Sequence, residues 1–289
     1  MTKVAFFGLG NMGYPMAGHL SKGGHQVTVI DPVEGRPEKW IAEFDGKPAD
    51  PPREAVQGAE MVFACVGTDN DLRGLALGGD GAFGGMKSGS IFIDHTTATA
   101  DIEHELAAVG RDRGIQYIDA PVSGGQAGAE KGALTVMCGG EQEAFDRALP
   151  VIDCFAVAVT LIGPVGSGQL TKMVSQIAHV IAMQGAAEAM NFGSRAGLDM
   201  DRVLAAISKG AAQSWCLDNR SATMLEGKYD FGFAAELMQK DLRICLAEAG
   251  NLDARLPVVA LINQFYTQVI ARGDRRWDTS SLMHLLAND

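Results

Sequence analysis

The stretch that most constrains the fold of this chain is its first thirty-one residues. Lys3-Val-Ala-Phe-Phe7 is a short apolar run of strand character. It is followed at once by Gly8-Leu-Gly10-Asn11-Met12-Gly13, and then by a helical stretch through Met16, Leu20 and Lys22 that Gly23-Gly24 ends. Gln26-Val-Thr-Val-Ile30 reads as the next strand and closes on Asp31. The pattern predicts a β-α-β unit with G-x-G-x-x-G at its first turn. Gly8 allows the tight turn, Gly10 lets a pyrophosphate approach the backbone, and Gly13 lets helix pack on strand. The helix N-terminus then offers N–H groups and positive dipole to the phosphates. A carboxylate at position 31 can accept hydrogen bonds from both ribose hydroxyls of the adenosine and repels a 2′-phosphate, which favours NAD over NADP. Arg36 tells the other way, since a guanidinium on the following loop could reach such a phosphate.

The alternation continues. Pro37 to Ala49 reads as helix and connector, Pro51-Pro52 as a break, and Arg53 to Gln57 as more helix. Glu60–Val66 is a buried-type strand leading to the polar loop Gly67-Thr-Asp-Asn-Asp71. Ser90–Asp94 is another strand, followed by His95-Thr96-Thr97. A helix spans about 100–113, and Gln116–Asp119 is a further strand. Strands alternating with helices predict a mostly parallel sheet wound on both faces. In such a sheet the loops after Phe7, Val66, Asp94 and Asp119 share one rim, where ligands bind. Val66, at a strand exit, joins the turn residues as a cofactor-binding candidate.

The loop after Asp119, Ala-Pro121-Val-Ser123-Gly124-Gly125-Gln-Ala-Gly128, puts a hydroxyl and exposed glycine amides where they can hold a carboxylate. No G-x-S-x-G elbow and no evident histidine base accompany Ser123, so it reads as a substrate hydrogen-bonder and not a nucleophile. Leu134–Cys138 and Val157–Ile162 are the last strands, with a helix near 141–152 between them. Gly163, Gly166 and Gly168 then give a flexible approach to a helix that begins near Gln169, carries Lys172 and Gln176 on one face, and continues to about Gly193. From there the patterns are helical to the end, near 200–208, 214–224, 234–249 and 258–271. The expected architecture is an N-terminal Rossmann doubly wound domain, residues 1–163, and an all-helical substrate and oligomerisation domain, residues 164–289, joined by a long helix.

Composition narrows the function classes. A net charge of -11 disfavours a nucleic-acid partner. No apolar run is long enough to span a bilayer, and the start moves straight into a strand without the apolar core of a signal peptide. The five cysteines are scattered and lack a C-x-x-C, which suggests free thiols in a reducing cytoplasm. The six histidines show no metal-ligand spacing, so no metal is expected.

Four motifs in order, Gly8-Leu-Gly-Asn-Met-Gly13 with Pro15-Met16, Asp119-Ala-Pro-Val-Ser-Gly-Gly125, Gly166-Ser-Gly-Gln-Leu-Thr-Lys172 and Lys240-Asp241-Leu242, resemble the β-hydroxyacid dehydrogenase family over essentially the whole chain. That family includes the 3-hydroxyisobutyrate dehydrogenases, tartronate semialdehyde reductases and glyoxylate/succinic semialdehyde reductases. The resemblance implies hydride transfer between a nicotinamide cofactor and a small hydroxyacid or semialdehyde. It makes Lys172 the catalytic lysine, Ser123 and Gly124 the carboxylate loop, and Thr96 the hydroxyl near nicotinamide and substrate. Phe233 and the Lys240-Asp241 pair match positions where the helical domain closes over the cofactor. The family usually has asparagine three or four residues after the lysine; here Ser175 and Gln176 stand there, so an amide survives one methylene longer. A lysine whose pKa is lowered beside the cationic ring would move the hydroxyl proton, and Gln176 would orient the oxygen. An imine reductase of related fold, which generally lacks the lysine, and a cofactor-binding protein without turnover are the other readings. Trp215 or Phe233 would shape the pocket, and the apolar helices of the back half predict a homodimer or homotetramer.

Overall fold

In the computed structural model, residues 1–272 and 275–287 are described. Two compact units are present, Met1–Lys172 and Met173–Asp289. The units part inside a helix, further along than the expected seam at 163.

The first unit runs β1 (Lys3–Phe7), α1 (Gly13–Lys22), β2 (Gln26–Ile30), α2 (Arg36–Glu43), β3 (Lys47–Pro48), α3 (Pro52–Ala55), β4 (Met61–Ala64), α4 (Asp69–Leu77), β5 (Ile91–Asp94), α5 (Ala100–Asp112), β6 (Gln116–Asp119), β7 (Val122–Ser123), α6 (Gly125–Glu130), β8 (Leu134–Gly140), α7 (Gln142–Ile152) and β9 (Ala156–Gly163). The strands form one nine-stranded sheet in the order β3-β2-β1-β4-β5-β6-β8-β7, with β9 on β8. Strands β3, β2, β1, β4, β5 and β6 are parallel, the doubly wound arrangement that the β-α-β reading implies. Strand β8 runs antiparallel to β6 and β7, and β9 parallel to β8.

Strand alternation explains the two-sided burial. Phe6 and Phe63 belong to one apolar cluster with Met16 and Leu20 of α1 and Phe145 of α7. Ala5, Phe7, Val62 and Ala64, one residue out of step, belong to a second with Leu72 of α4 and Ile102 and Leu106 of α5. Successive side chains point to opposite faces, so a strand covered by helices on both sides must be apolar throughout. In the same parallel register the ends of β1, β4, β5 and β6 lie side by side.

Two segments expected as loops contain structure. The polar run 67–71 holds the start of α4: Thr68 accepts from the Asp71 amide, and Asp69 and Asp71 lie in the first turn. The polarity that suggested a loop is that of a capped, acid-rich helix start. The stretch after Asp119 contains β7 and the short α6, entered through Gly124 and Gly125 at φ 132° and 61°.

Helix α8 (Ser167–Arg195) is 29 residues long, about 43 Å, and continues from the first unit into the second. The second unit also contains α9 (Met200–Ile207), α10 (Trp215–Leu225), α11 (Ala235–Asn251), α12 (Pro257–Ala271) and α13 (Leu282–Ala287), the last of which the sequence patterns did not suggest. Its core gathers Val180, Met183, Ala187 and Met190 of α8 with Met238 and Leu242 of α11 and Ile262, Tyr266 and Val269 of α12. The α8 residues recur at three and four, one helical face. None of the described helices is long and apolar enough to cross a membrane.

Candidate active site

The first turn is shaped for close approach. Gly8 adopts φ 92° and its amide donates to the Ile30 carbonyl at 3.0 Å. A Cβ on Gly13 would collide with the Gly8 carbonyl, whereas one on Gly10 would meet nothing within 4 Å. Gly13 is therefore needed for helix-to-strand contact, and Gly10 leaves an open backbone face. Helix α1 has no side-chain cap at Met12 and no acidic residue in its first turn, which suits an anionic group at its amides. Asn11 is exposed beside it. Asp31 accepts from the Leu9 amide at 2.6 Å and the Val33 amide at 2.8 Å, and Arg36 reaches it at 3.3 Å. The carboxylate is thus fixed at the end of β2 with the guanidinium on it. A cleft of about 520 Å³ opens here, with Gly10, Asn11, Arg36 and Lys39 among its lining. These residues fit a dinucleotide.

The neighbouring strand ends converge on α8. The Val66 amide donates to Thr96 Oγ1 at 3.0 Å, and the Thr96 amide to Asp94 Oδ1 at 3.0 Å. Gln169 Nε2 donates to the Thr96 carbonyl and to Glu103 Oε1, both at 2.7 Å, while Gln169 Oε1 accepts from the Ala98 amide at 3.2 Å. Asp119, at the end of β6, accepts from the Gly166 amide at 2.8 Å and the Gln169 amide at 2.9 Å. A carboxylate distant in sequence thus caps α8. A Cβ on Gly168 would strike the Met137 and Asp119 carbonyls, so this glycine serves tight docking. The flexible approach expected of the glycines here is, at Gly168, a close contact. Lys172 stands one turn further along α8 and is 7% exposed. Ser123 is half-buried at the end of β7, ahead of the Gly124-Gly125 turn into α6.

Beneath this rim lies a group of buried acids. Burial pushes Asp94 up to about 7, against hydrogen bonds from Thr96 that pull it down. Burial pushes Asp119 up to about 6 despite its backbone donors. Burial, and then the charges of Asp94 and Asp119, hold Glu103 well above the usual carboxyl range. His95, its Nδ1 2.6 Å from the Ala120 carbonyl, is pushed down to about 4 by burial.

The second unit holds the remaining candidates. Gln176 is buried, and its Nε2 donates to Asp241 Oδ2 at 2.6 Å. Lys240 Nζ lies 3.2 Å from Asp241 Oδ1. The Phe233 amide donates to Asp278 Oδ2 at 2.9 Å, and Arg220 Nε donates to Asp278 Oδ1 at 2.9 Å. Trp215 is about half exposed.

The predicted residues therefore fall into two sets. Gly8, Gly10, Asn11, Met12, Gly13, Asp31, Val66, Thr96, Ser123, Gly124 and Lys172 belong to the first unit, and Gln176, Phe233 and Lys240 to the second. Sequence reasoning missed Asp94, Glu103, Gln169 and the bracing roles of Asp119 and Asp241. One signal was available: Glu103 sits among Ile102, Leu106 and Gly110 on the buried face of α5, where packing alone calls for an apolar residue.

The model of the NAD-binding domain of 6-phosphogluconate dehydrogenase matches residues 3–163. That described as the NAD-binding domain of NADP-dependent 3-hydroxyisobutyrate dehydrogenase matches residues 166–286. An uncharacterized oxidoreductase of Shewanella frigidimarina is 54% identical, covering 98% of this chain and 97% of its own. An NAD-dependent L-serine dehydrogenase of Pseudomonas aeruginosa is 32% identical, covering 99% and 98%. Among solved structures, 3-hydroxyisobutyrate dehydrogenase of Mycobacterium tuberculosis with L-serine superposes with a TM-score of 0.90 at 27% identity, covering all of both chains.

Proposed function

The chain belongs to the β-hydroxyacid dehydrogenase family, and on that premise we propose that it transfers hydride between NAD and a small β-hydroxyacid or semialdehyde of the 3-hydroxyisobutyrate kind, with Lys172 as general acid/base. When bound, the nicotinamide cofactor would supply the hydride chemistry, taking up hydride in the oxidising direction and giving it back in the reducing one. In the oxidising direction neutral Lys172 Nζ takes the hydroxyl proton; in the reducing direction its ammonium gives a proton to the carbonyl oxygen. Gln176, one turn along the same helix and steadied by Asp241, orients that oxygen. Ser123 Oγ and the Gly124 and Gly125 amides hold the substrate carboxylate, which fixes the reacting carbon. The amides from Gly8 to Gly13 receive the pyrophosphate and Asp31 the adenosine ribose. Val66 and Thr96 border the nicotinamide, and Phe233 and Lys240 complete the cofactor site. Residues 1–163 thereby serve dinucleotide binding, and 164–289 substrate selection and assembly.

The observation that carries this reading is the anchoring of Lys172. Its helix start is pinned to Asp119 through two backbone amides and wedged by Gly168 against the strand ends, beside the Gly8–Gly13 turn's own rim of the sheet. A lysine buried at that rim is placed where proton transfer to a bound substrate would occur.

The test is a panel of C3 and C4 β-hydroxyacids with both cofactors, on wild type, Lys172→Ala and Lys172→Arg. Lys172→Ala lowers kcat by about 10²–10⁴ and leaves NAD affinity nearly unchanged. Lys172→Arg is nearly as poor, because guanidinium keeps the charge but does not release its proton near neutral pH. An arginine variant with most of the wild-type rate would make Lys172 a carboxylate anchor instead. Wild type that turns over cyclic imines, or binds cofactor without any turnover, would replace the dehydrogenase reading altogether.

A further inference from the structure

Asp94, Glu103 and Asp119 are fully buried in the first unit, under the Thr96 loop and the start of α8. Asp119 is served by the amides of Gly166, just before α8, and Gln169, in its first turn. Glu103 accepts from Tyr117 Oη at 2.7 Å on one oxygen and from Gln169 Nε2 at 2.7 Å on the other. Asp94 Oδ1 accepts from the Thr96 amide, but Asp94 Oδ2 meets no N–H or O–H donor among the described residues. A buried carboxylate oxygen without a donor is expensive. The group that faces Asp94 is the Glu103 carboxyl. The other titratable groups that bear on this pair are Tyr117 and Asp119 of β6, and neither supplies positive charge. A proton on Glu103 supplies the donor that Asp94 lacks and removes the repulsion between the two acids.

We propose that Glu103 is a positioning residue for the reaction: it holds a proton between itself and Asp94, and through Gln169 and Asp94 it fixes the Thr96 loop and the α8 turn that leads to Lys172. Gln169 is the relay. Its one amide joins Glu103, the Thr96 carbonyl and the Ala98 amide, so its orientation decides where the loop and the helix start sit together. Ionised Glu103 sets two charges side by side in a fully buried site, and the relay loosens. Burial of both acids, which pushes Asp94 up to about 7 and Glu103 higher than its ordinary range, agrees with a retained proton. The proposal rests on the reading of Lys172 as acid/base.

The experiment uses the full chain and the variants Glu103→Gln, Glu103→Leu and Asp94→Asn. Infrared spectra of the cofactor-free protein at neutral pH should show the carbonyl stretch of a buried protonated carboxylic acid, and Glu103→Gln and Asp94→Asn should each lose it. In turnover, Glu103→Gln keeps kcat within about threefold, because its amide N–H replaces the shared proton. Glu103→Leu lowers kcat about tenfold or more with KM for NAD unchanged, the pattern of a misplaced catalytic group. Wild type without the carboxylic-acid band overturns the shared proton. A Glu103→Leu enzyme with the wild-type kcat and pH profile overturns the positioning role, as does a Glu103→Gln enzyme as slow as the leucine variant. If Glu103→Leu does not fold, the band and the Glu103→Gln rate still decide. If wild type oxidises none of the hydroxyacids, the functional reading fails while the infrared result still settles the proton.

Discussion

The buried acids make the stability of the first unit depend on pH in an unusual direction. An acid whose pKa is raised on folding holds its proton more tightly when folded. Its stabilising effect is complete below the unfolded pKa and is lost as pH rises through the folded one. Asp94 moves from 3.8 to about 7 and Asp119 from 3.8 to about 6. Between pH 5 and 8, Asp94 therefore removes about two pH units' worth of proton binding and Asp119 about one, at roughly 1.4 kcal/mol each. His95 opposes them. Lowered from 6.5 to about 4, it disfavours folding at pH 5 by about 1.5 units and ceases to do so above 6.5. The balance is a loss on the order of 2 kcal/mol from pH 5 to 8, and Glu103 adds to it with the same sign.

The assay is urea unfolding at fixed ionic strength across that range, with Trp40 as the reporter. Trp40 is fully buried in the first unit, so a Trp215→Phe, Trp277→Phe background isolates its signal from the second. Following one unit also avoids treating a two-unit chain as one transition. Wild type should be more stable near pH 6 than at pH 8. In Glu103→Gln the slope of stability against pH should be shallower, since the amide does not titrate and its N–H lets Asp94 ionise. Stability that rises from pH 6 to 8 in wild type, or equal slopes in the two proteins, would refute the assignment of the raised acids.

Two further expectations are open to direct measurement. Because Asp31 is fixed at the end of β2 with Arg36 on it, kcat/KM should favour NAD; a value at least tenfold higher with NADP, about 1.4 kcal/mol, would show that Arg36 leaves Asp31 for the 2′-phosphate. Val174, Ile181 and Phe192 of α8 are 66%, 41% and 74% exposed on a helix whose other face is core, so light scattering should show a homodimer or homotetramer, and a monomer at micromolar concentration would exclude assembly through that stripe.

What could be read from the sequence is what short-range physics encodes. The Gly8–Gly13 turn and Asp31 lie within one β-α-β unit, where Gly8 and Gly13 answer steric demands within the chain and Gly10 leaves the backbone open. The long helix announced itself through apolar residues at three and four. Helix α4 did not, because its cap and first turn are all polar, and a five-residue polar run carries no period. The bracing of the site was hidden for a different reason. Gln169 meets Glu103 across 66 residues and Asp119 across 50, and Gln176 meets Asp241 across 65; no local pattern joins such partners. Yet each of these pairs has one member whose type is wrong for its local setting. Glu103 breaks the apolar face of α5, Asp119 ends a buried strand, and Asp241 follows Lys240 on the buried side of α11. An ionisable residue at a position that periodicity assigns to the core needs a donor or a proton from elsewhere in the fold. For Glu103 and Asp119 those partners gather in the first unit, behind the rim that carries Thr96 and Lys172. Two of the positions where the hydrophobic pattern fails, Glu103 and Asp119, are therefore where the start of the helix that carries Lys172 acquires its orientation, because a carboxyl held by two or three directional bonds fixes a backbone more tightly than an apolar contact of the same size.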